Sequence, residues 1–482
     1  MLRPTALLLV YVTLLADSVS ATEWTWTWKP APGDDKTPTA EICTFKYGKR
    51  WAYAIEIDDG PKWIASFAVP FLAQYHYTDA PPGVPGGIKK PFVGSAAVIV
   101  GATGNNDSLL NWDDLAKLFD SGWGVMNHSY DHHANDWSGE SAKLNDQQAY
   151  ADAFWSQTIL AAKLPGGRAP TGAVYANGYL AYNRNNALAA CGIGIATRVG
   201  SDSPRDVLDP QTKWLDFNRS YLDEKVWSNE QNQGKPMADF PGGEQDGPPA
   251  NSLVIDFTHE IERKPGSANQ DRWRNRLKTI ESRWGVGGGD SLWCAPTGEV
   301  ADYIRAAHAA KLTMTSGKLT VSLPDGLPGS ALTLRLRGIG NQAIVQAPEG
   351  GSLYRQGNAI VLTSPRIGPW GTNPPHPRLK CIYNGPAVSV DFSKPVRVAG
   401  VTMRIFGNPP SALRYRLAVR TSKGEEIFAD RTVGPGWVVG GHLCPIIPTS
   451  ASITGTGVVV TGAEPLKTMA IWAIDEDKET GE

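Results

Sequence analysis

Apolar runs and turn residues alternate in a regular order along the first two thirds of the chain. Residues 51–59, W-A-Y-A-I-E-I-D-D, read as a strand of β-branched and aromatic residues broken by Gly60-Pro61. Ala96 to Val100 is short and continuously apolar, as in a strand buried on both faces. Asn111 caps a helix to Asp120 with Leu115, Leu118 and Phe119 on its apolar face, and Gly122 closes it. A short strand, 124–127, follows. Ala151, Trp155, Ile159 and Ala162 recur at helical spacing and predict a helix over 141–164. Strands at 172–176, 194–197, 252–258 and 291–295 then interleave with helices at 183–190, 271–284 and 298–310. Strand–helix alternation of this kind is the mark of an α/β fold with a mostly parallel sheet.

The pattern changes at both ends. Residues 22–45 are rich in Trp and Pro and read as an irregular arm. From Gly317 the helical spacing vanishes, and short alternating runs recur between turn residues, as in a β-sandwich. The Pro- and Gly-rich stretch 364–377 reads as a linker. The predicted organisation is a segment 1–21, an α/β domain 22–315, a small β region 316–365 and a β-sandwich 366–482.

Segment 1–21 has Arg3, an apolar run from Ala6 to Ala16 and small residues ending at Ala21. This is the order of a secretory signal peptide cleaved after Ala21, and the run is too short to span a bilayer. A secreted or periplasmic protein without a membrane span is expected. Net charge is −2, with no block of one sign, which argues against nucleic acid as a partner. The five cysteines, 43, 191, 294, 381 and 444, contain no Cys-x-x-Cys pair, so zinc fingers are excluded. An exported chain permits a bridge, for which Cys381 and Cys444 are the expected pair. The 17 Trp add a candidate set of sugar-stacking platforms to the core aromatics.

In parallel α/β folds reactive groups sit at the carboxyl ends of strands. Four polar clusters fall there: Asp58-Asp59, the stretch N-H-S-Y-D-H-H (127–133), Asn177-Gly178-Tyr179, and His259 after S-L-V-I-D-F-T. His128 and His132 are four apart, so a helical turn or a tight loop aims both imidazoles at one point. With one carboxylate they make a three-ligand set suited to zinc or another borderline divalent metal, with a position left open for water. A second carboxylate beside it can take a proton from that water, and a histidine can protonate a leaving group. His133 and Asp131 read as neighbours of the ligands rather than ligands.

I-D-D-G-P, then H-S-Y-D-H about 70 residues later, then a strand ending in His, resembles the polysaccharide deacetylases of carbohydrate esterase family 4, the NodB-homology domain, over roughly 45–312. The resemblance implies a distorted (β/α) barrel with fewer strands than eight. It implies Asp58 as general base, Asp59, His128 and His132 as metal ligands, His259 as general acid, and removal of N- or O-linked acetyl groups from a saccharide. Two departures stand out. Glu56-Ile57 precede the Asp pair where the family has Thr-Phe. The family's third motif has an arginine that holds the base; the matching strand end here is Ala176-Asn177-Gly178-Tyr179, with Arg168 and Arg184 nearby in sequence. Asn177 is the expected substitute holding Asp58, with Gly178 and Tyr179 beside the substrate. Trp214 to Asp216 and Asp290 to Trp293 are both candidates for the fourth motif. The missing arginine motivates a second reading, a saccharide-binding protein without turnover. Residues 388–474 resemble galactose-binding-like jelly rolls, which implies a carbohydrate-binding role.

Overall fold

In a computed structural model the described residues are 22–29, 38–104, 107–130, 132, 146–176, 182–200, 205–223, 247–261, 268–315, 317–339 and 345–372, with backbone strands between 379 and 475. The expected signal peptide, Asp131, His133, and Asn177, Gly178 and Tyr179 lie outside them.

Seven parallel strands close into a barrel: β1 (Trp51–Ile57), β2 (Ser95–Val98), β3 (Gly124–Asn127), β4 (Gly172–Val174), β5 (Ile195–Val199), β6 (Phe217–Tyr221) and β7 (Ser252–Thr258). The ring closes because β7 pairs with β1 along nearly its whole length, Leu253 beside Ala52 through Thr258 beside Ile57. An eighth parallel strand, β8 (Leu292–Cys294), pairs with the start of β1, while β2 pairs with its end. Every residue of β1, β6 and β7 is buried, as strands enclosed on both faces must be. Helices Trp112–Asp120, Asp146–Lys163, Tyr182–Ala190, Ala268–Trp284 and Thr297–Ala309 are joined to these strands in the expected alternation. The capping prediction holds: Asn111 Oδ1 accepts from the amide of Asp114, whose carboxylate returns the bond to the Asn111 amide.

Three expectations need correction. β6 was not foreseen, because F-N-R-S-Y buries three polar residues and lacks an apolar run. The arm 22–45 is not irregular: Glu23–Thr27 pairs antiparallel with Lys318–Ser322, and Thr39–Ile42 with Ser330–Arg337. Stretch 364–377 is not simply a linker, since strand Ala359–Ile367 runs into it and Thr372 bridges to Ala169. The N-terminal strands therefore share sheets with the region after residue 311, and one apolar cluster runs from Trp26 through the barrel to Leu334 and Ile367.

The C-terminal strands form one antiparallel sheet around the long strand Ala387–Ile405. Its register sets Cys381 beside Val390 and Cys444 beside Met403. The side chains of this expected cysteine pair lie outside the described residues. Cys43, Cys191 and Cys294 are buried free thiols.

Candidate active site

Strands of one parallel barrel all end at the same mouth, so their following residues meet there. Asp58 continues the β1–β7 ladder through its amide to Thr258 O, 3.2 Å. Asp59 (φ 67°) and Gly60 (φ 61°) then turn the chain through left-handed backbone. That turn lets two consecutive aspartates face the same centre, which regular strand alternation forbids. A Cβ at Gly60 would lie 3.0 Å from Val98 Cγ1, so glycine answers both the angle and the close approach.

His128 and His132 lie on a tight loop, not a helical turn. Ser129 (φ 67°) and His132 (φ 59°) are left-handed. Side chains hold the loop: Asn127 Oδ1 accepts from Ser129 N (2.9 Å), Ser129 Oγ from His132 N (2.8 Å), and Asp152 Oδ1 from Tyr130 N (3.0 Å). The imidazole centroids are 4.7 Å apart.

Asp59 Oδ1 lies 3.4 Å from His128 Nε2 and 3.6 Å from His132 Nε2. One ligand atom from each of the three residues falls within 4.8 Å of the others. Asp59 Oδ1 and His128 Nε2 are buried without an ordinary hydrogen-bond partner, though buried polar atoms nearly always have one. His128 Nδ1 faces Val174 O at 3.1 Å. A carbonyl only accepts, so Nδ1 carries the proton and the Nε2 lone pair points into the site, the tautomer a metal ligand needs. The donor set, one carboxylate and two imidazoles, fits a divalent ion with open positions. Burial would raise the pKa of Asp59, but His128 beside it holds the carboxyl below its ordinary value.

The arginine that holds Asp58 comes from β6. Arg219 Nη1 and Nη2 donate to Asp58 Oδ1 and Oδ2 at 2.6 and 2.5 Å, a two-pronged charge-assisted contact. Arg219 Nη1 also donates to Glu56 Oε2, 2.9 Å, and the guanidinium lies 3.8 Å from the Phe257 ring centre. Burial pushes the Asp58 pKa up, yet Arg219 holds the carboxyl well below the usual carboxylate range. Asn177 is thus not needed as a substitute. Its replacement was missed because Arg219 sits 161 positions from Asp58, on an unrecognised strand. The 55-residue gap between strands at 197 and 252, with F-N-R-S-Y inside it, was the available signal.

His259 follows β7 with Nε2 3.5 Å from Asp58 Oδ2 and a side chain 36% exposed. Its ring packs edge-to-face against the adjacent Tyr221 and Phe257 rings, at centroid distances of 5.7 and 5.8 Å. Asp223, just past β6, accepts from His259 N (2.8 Å), Thr258 Oγ1 (2.6 Å) and Trp273 Nε1 (3.1 Å), fixing the backbone from which His259 projects. Of the fourth-motif candidates, Asp216 pairs with Arg198 and Asp290 pairs with Lys49; Asp223, unmarked in the sequence, is the carboxylate beside His259.

No family model matches the chain, and no curated protein does. Solved structures similar to it include the Streptococcus pyogenes deacetylase PplD in complex with acetate (15% identity, 31% of this chain and 56% of that one, TM-score 0.25). A candidate polysaccharide deacetylase from Mycobacterium smegmatis is 14% identical over 58% of this chain and 99% of that one, TM-score 0.33. The family 32 CBM of C. perfringens NanJ in complex with galactose is 16% identical over 19% of this chain and 64% of that one, TM-score 0.15. The chain thus spans little more than half of the PplD structure. Among the described residues no helix is long and apolar enough to cross a membrane.

Proposed function

We propose that this chain is a secreted, metal-dependent hydrolase that removes N- or O-linked acetyl groups from a saccharide. The observation that carries the reading is one barrel mouth holding three convergent ligand atoms, an arginine-clamped carboxylate and a histidine. Asp59, His128 and His132 would hold the metal, with zinc first among the candidates. When bound, such an ion supplies a Lewis acid for the acetyl carbonyl and lowers the pKa of water towards ~7.

The remaining chemistry belongs to the chain. Asp58, kept ionised by Arg219, accepts the proton of the attacking water. The water oxygen bonds to the acetyl carbon as the C–N or C–O bond breaks. His259 donates a proton to the departing amine or alcohol, and acetate is released. Asn177, Gly178 and Tyr179 follow β4 and are proposed to line the acetyl side of the site, where a backbone N–H would stabilise the oxyanion. Leader 1–21 supports export, and the C-terminal sheet is proposed to bind glycan.

Acetate release from a panel of acetylated glycans, with metal analysis of the same sample, tests the reading. Release that stops on chelation and returns with zinc is expected. A metal-loaded protein that releases acetate from none of them would overturn it. The binding-only alternative loses its motive, because Arg219 supplies the arginine it took to be missing.

A further inference from the structure

The barrel interior holds a second carboxylate that the reaction does not use. Side chains alternate along a strand, so Glu56 shares the inward face of β1 with Asp58. It is wholly buried, and each of its oxygens is engaged. Oε1 accepts from Thr297 Oγ1 at 2.7 Å; Oε2 accepts from Thr197 Oγ1 at 2.8 Å and from Arg219 Nη1 at 2.9 Å. Thr197 and Arg219 lie on β5 and β6, neither of which pairs with β1, so these contacts cross the interior. Thr297 begins the helix after β8, and its amide is itself fixed by Ser95 Oγ at 3.1 Å.

A guanidinium presented to a single carboxylate can pivot about that contact. Arg219 has few other constraints: its Nε has no partner among the described residues, and Phe257 offers a flat face along which the fork can slide. Glu56 supplies the missing point, since Nη1 is shared between Glu56 Oε2 and Asp58 Oδ1. Three fixed contacts define a plane where two leave a hinge.

We propose, resting on the deacetylase reading, that Glu56 is a positioning residue: anchored by Thr197 and Thr297, it fixes the Arg219 fork and through it the orientation of Asp58. The Glu56-Ile57 departure from the family's Thr-Phe is then a functional replacement. Glu56 takes no part in metal binding and touches no reacting atom.

Glu56→Gln keeps the size and one carbonyl oxygen but loses the charge and one acceptor. Crystal structures of wild type and E56Q provide a readout independent of turnover. The expected result is an Arg219 fork displaced from its two-pronged contact with Asp58; an unmoved fork overturns the inference, whether or not the chain releases acetate. Where wild type is active, kcat should fall by about 10- to 100-fold, in the range of lost supporting hydrogen bonds at metal sites, with KM and bound metal unchanged. Glu56→Asp, which restores the charge, should recover part of the loss. In an Arg219→Lys background, E56Q should have little further effect on kcat, because the fork it positions is gone. Equal losses in both backgrounds would assign Glu56 a purely structural role and overturn the proposal. Failure of wild type to release acetate, with a displaced fork in E56Q, would instead strike the deacetylase reading alone.

Discussion

Replacing Arg219 with Met tests the clamp on Asp58 most directly. Met retains much of the side-chain volume against Phe257 but removes three charged hydrogen bonds, two to Asp58 and one to Glu56. Asp58 loses both of its bonds to Arg219, whereas Glu56 keeps its two threonine hydroxyls. Both carboxylates are buried, so the loss strands charge that water cannot reach. Breaking a buried pair by removing one partner costs about 3–5 kcal/mol, or roughly 10 °C in melting temperature for a domain of this size. The cost should depend on pH. In wild type the folded Asp58 pKa lies below its unfolded value. The stability it contributes is therefore present above about pH 4 and is lost as pH falls through the folded value. In the variant the same burial, no longer opposed by Arg219 and countered only by His128 and His259, raises the folded pKa, so acidification relieves part of the strain. Urea denaturation of chelator-treated wild type and variant at pH 7.5 and pH 5 should show a difference of about 3–5 kcal/mol at the higher pH and a smaller one at the lower. A cost under about 1 kcal/mol at pH 7.5, or the same cost at both values, would refute the clamp as described.

Asp59→Ala or His128→Ala should remove bound metal and acetate release together, by elemental analysis and turnover on one preparation; Asp58→Asn should keep the metal and lose turnover. Asp223→Ala should free the backbone at His259, costing about 2–4 kcal/mol for the donors left unsatisfied and lowering kcat while metal content holds. Asp302, buried on helix Thr297–Ala309, has its pKa pushed up to about 7 by desolvation. Its folded value exceeds its unfolded one, so the stability it contributes is full below about pH 4 and is lost as pH rises towards 7. Asp302→Asn should flatten that decline in a melting series from pH 4 to 8; an unchanged slope would exclude Asp302 as its source.

The candidate site residues were legible because each sits beside its own local signal. Asp59 ends an apolar strand at Gly-Pro, His128 and His132 fall in one seven-residue stretch, and His259 ends S-L-V-I-D-F-T. Strand–helix alternation announced a mostly parallel α/β sheet because burial on both faces writes continuous apolar runs. The N-terminal strands escaped notice, since their partners lie some 300 residues downstream and their short runs carry no pairing information of their own.

What the sequence by itself determined was most of the strand–helix alternation and the candidate ligand set, both of which follow from neighbours a few residues apart. What only the tertiary structure decided was how Asp58 is held. Closing the ring through β7 and β1 sets β6 across the interior from Asp58, and Arg219 reaches it over 161 positions of chain. A strand that sends Arg219 into the barrel interior is stabilised there by partners on other strands rather than by its own hydrophobic pattern. Its role becomes visible only when those partners, Glu56 and Asp58, stand opposite it.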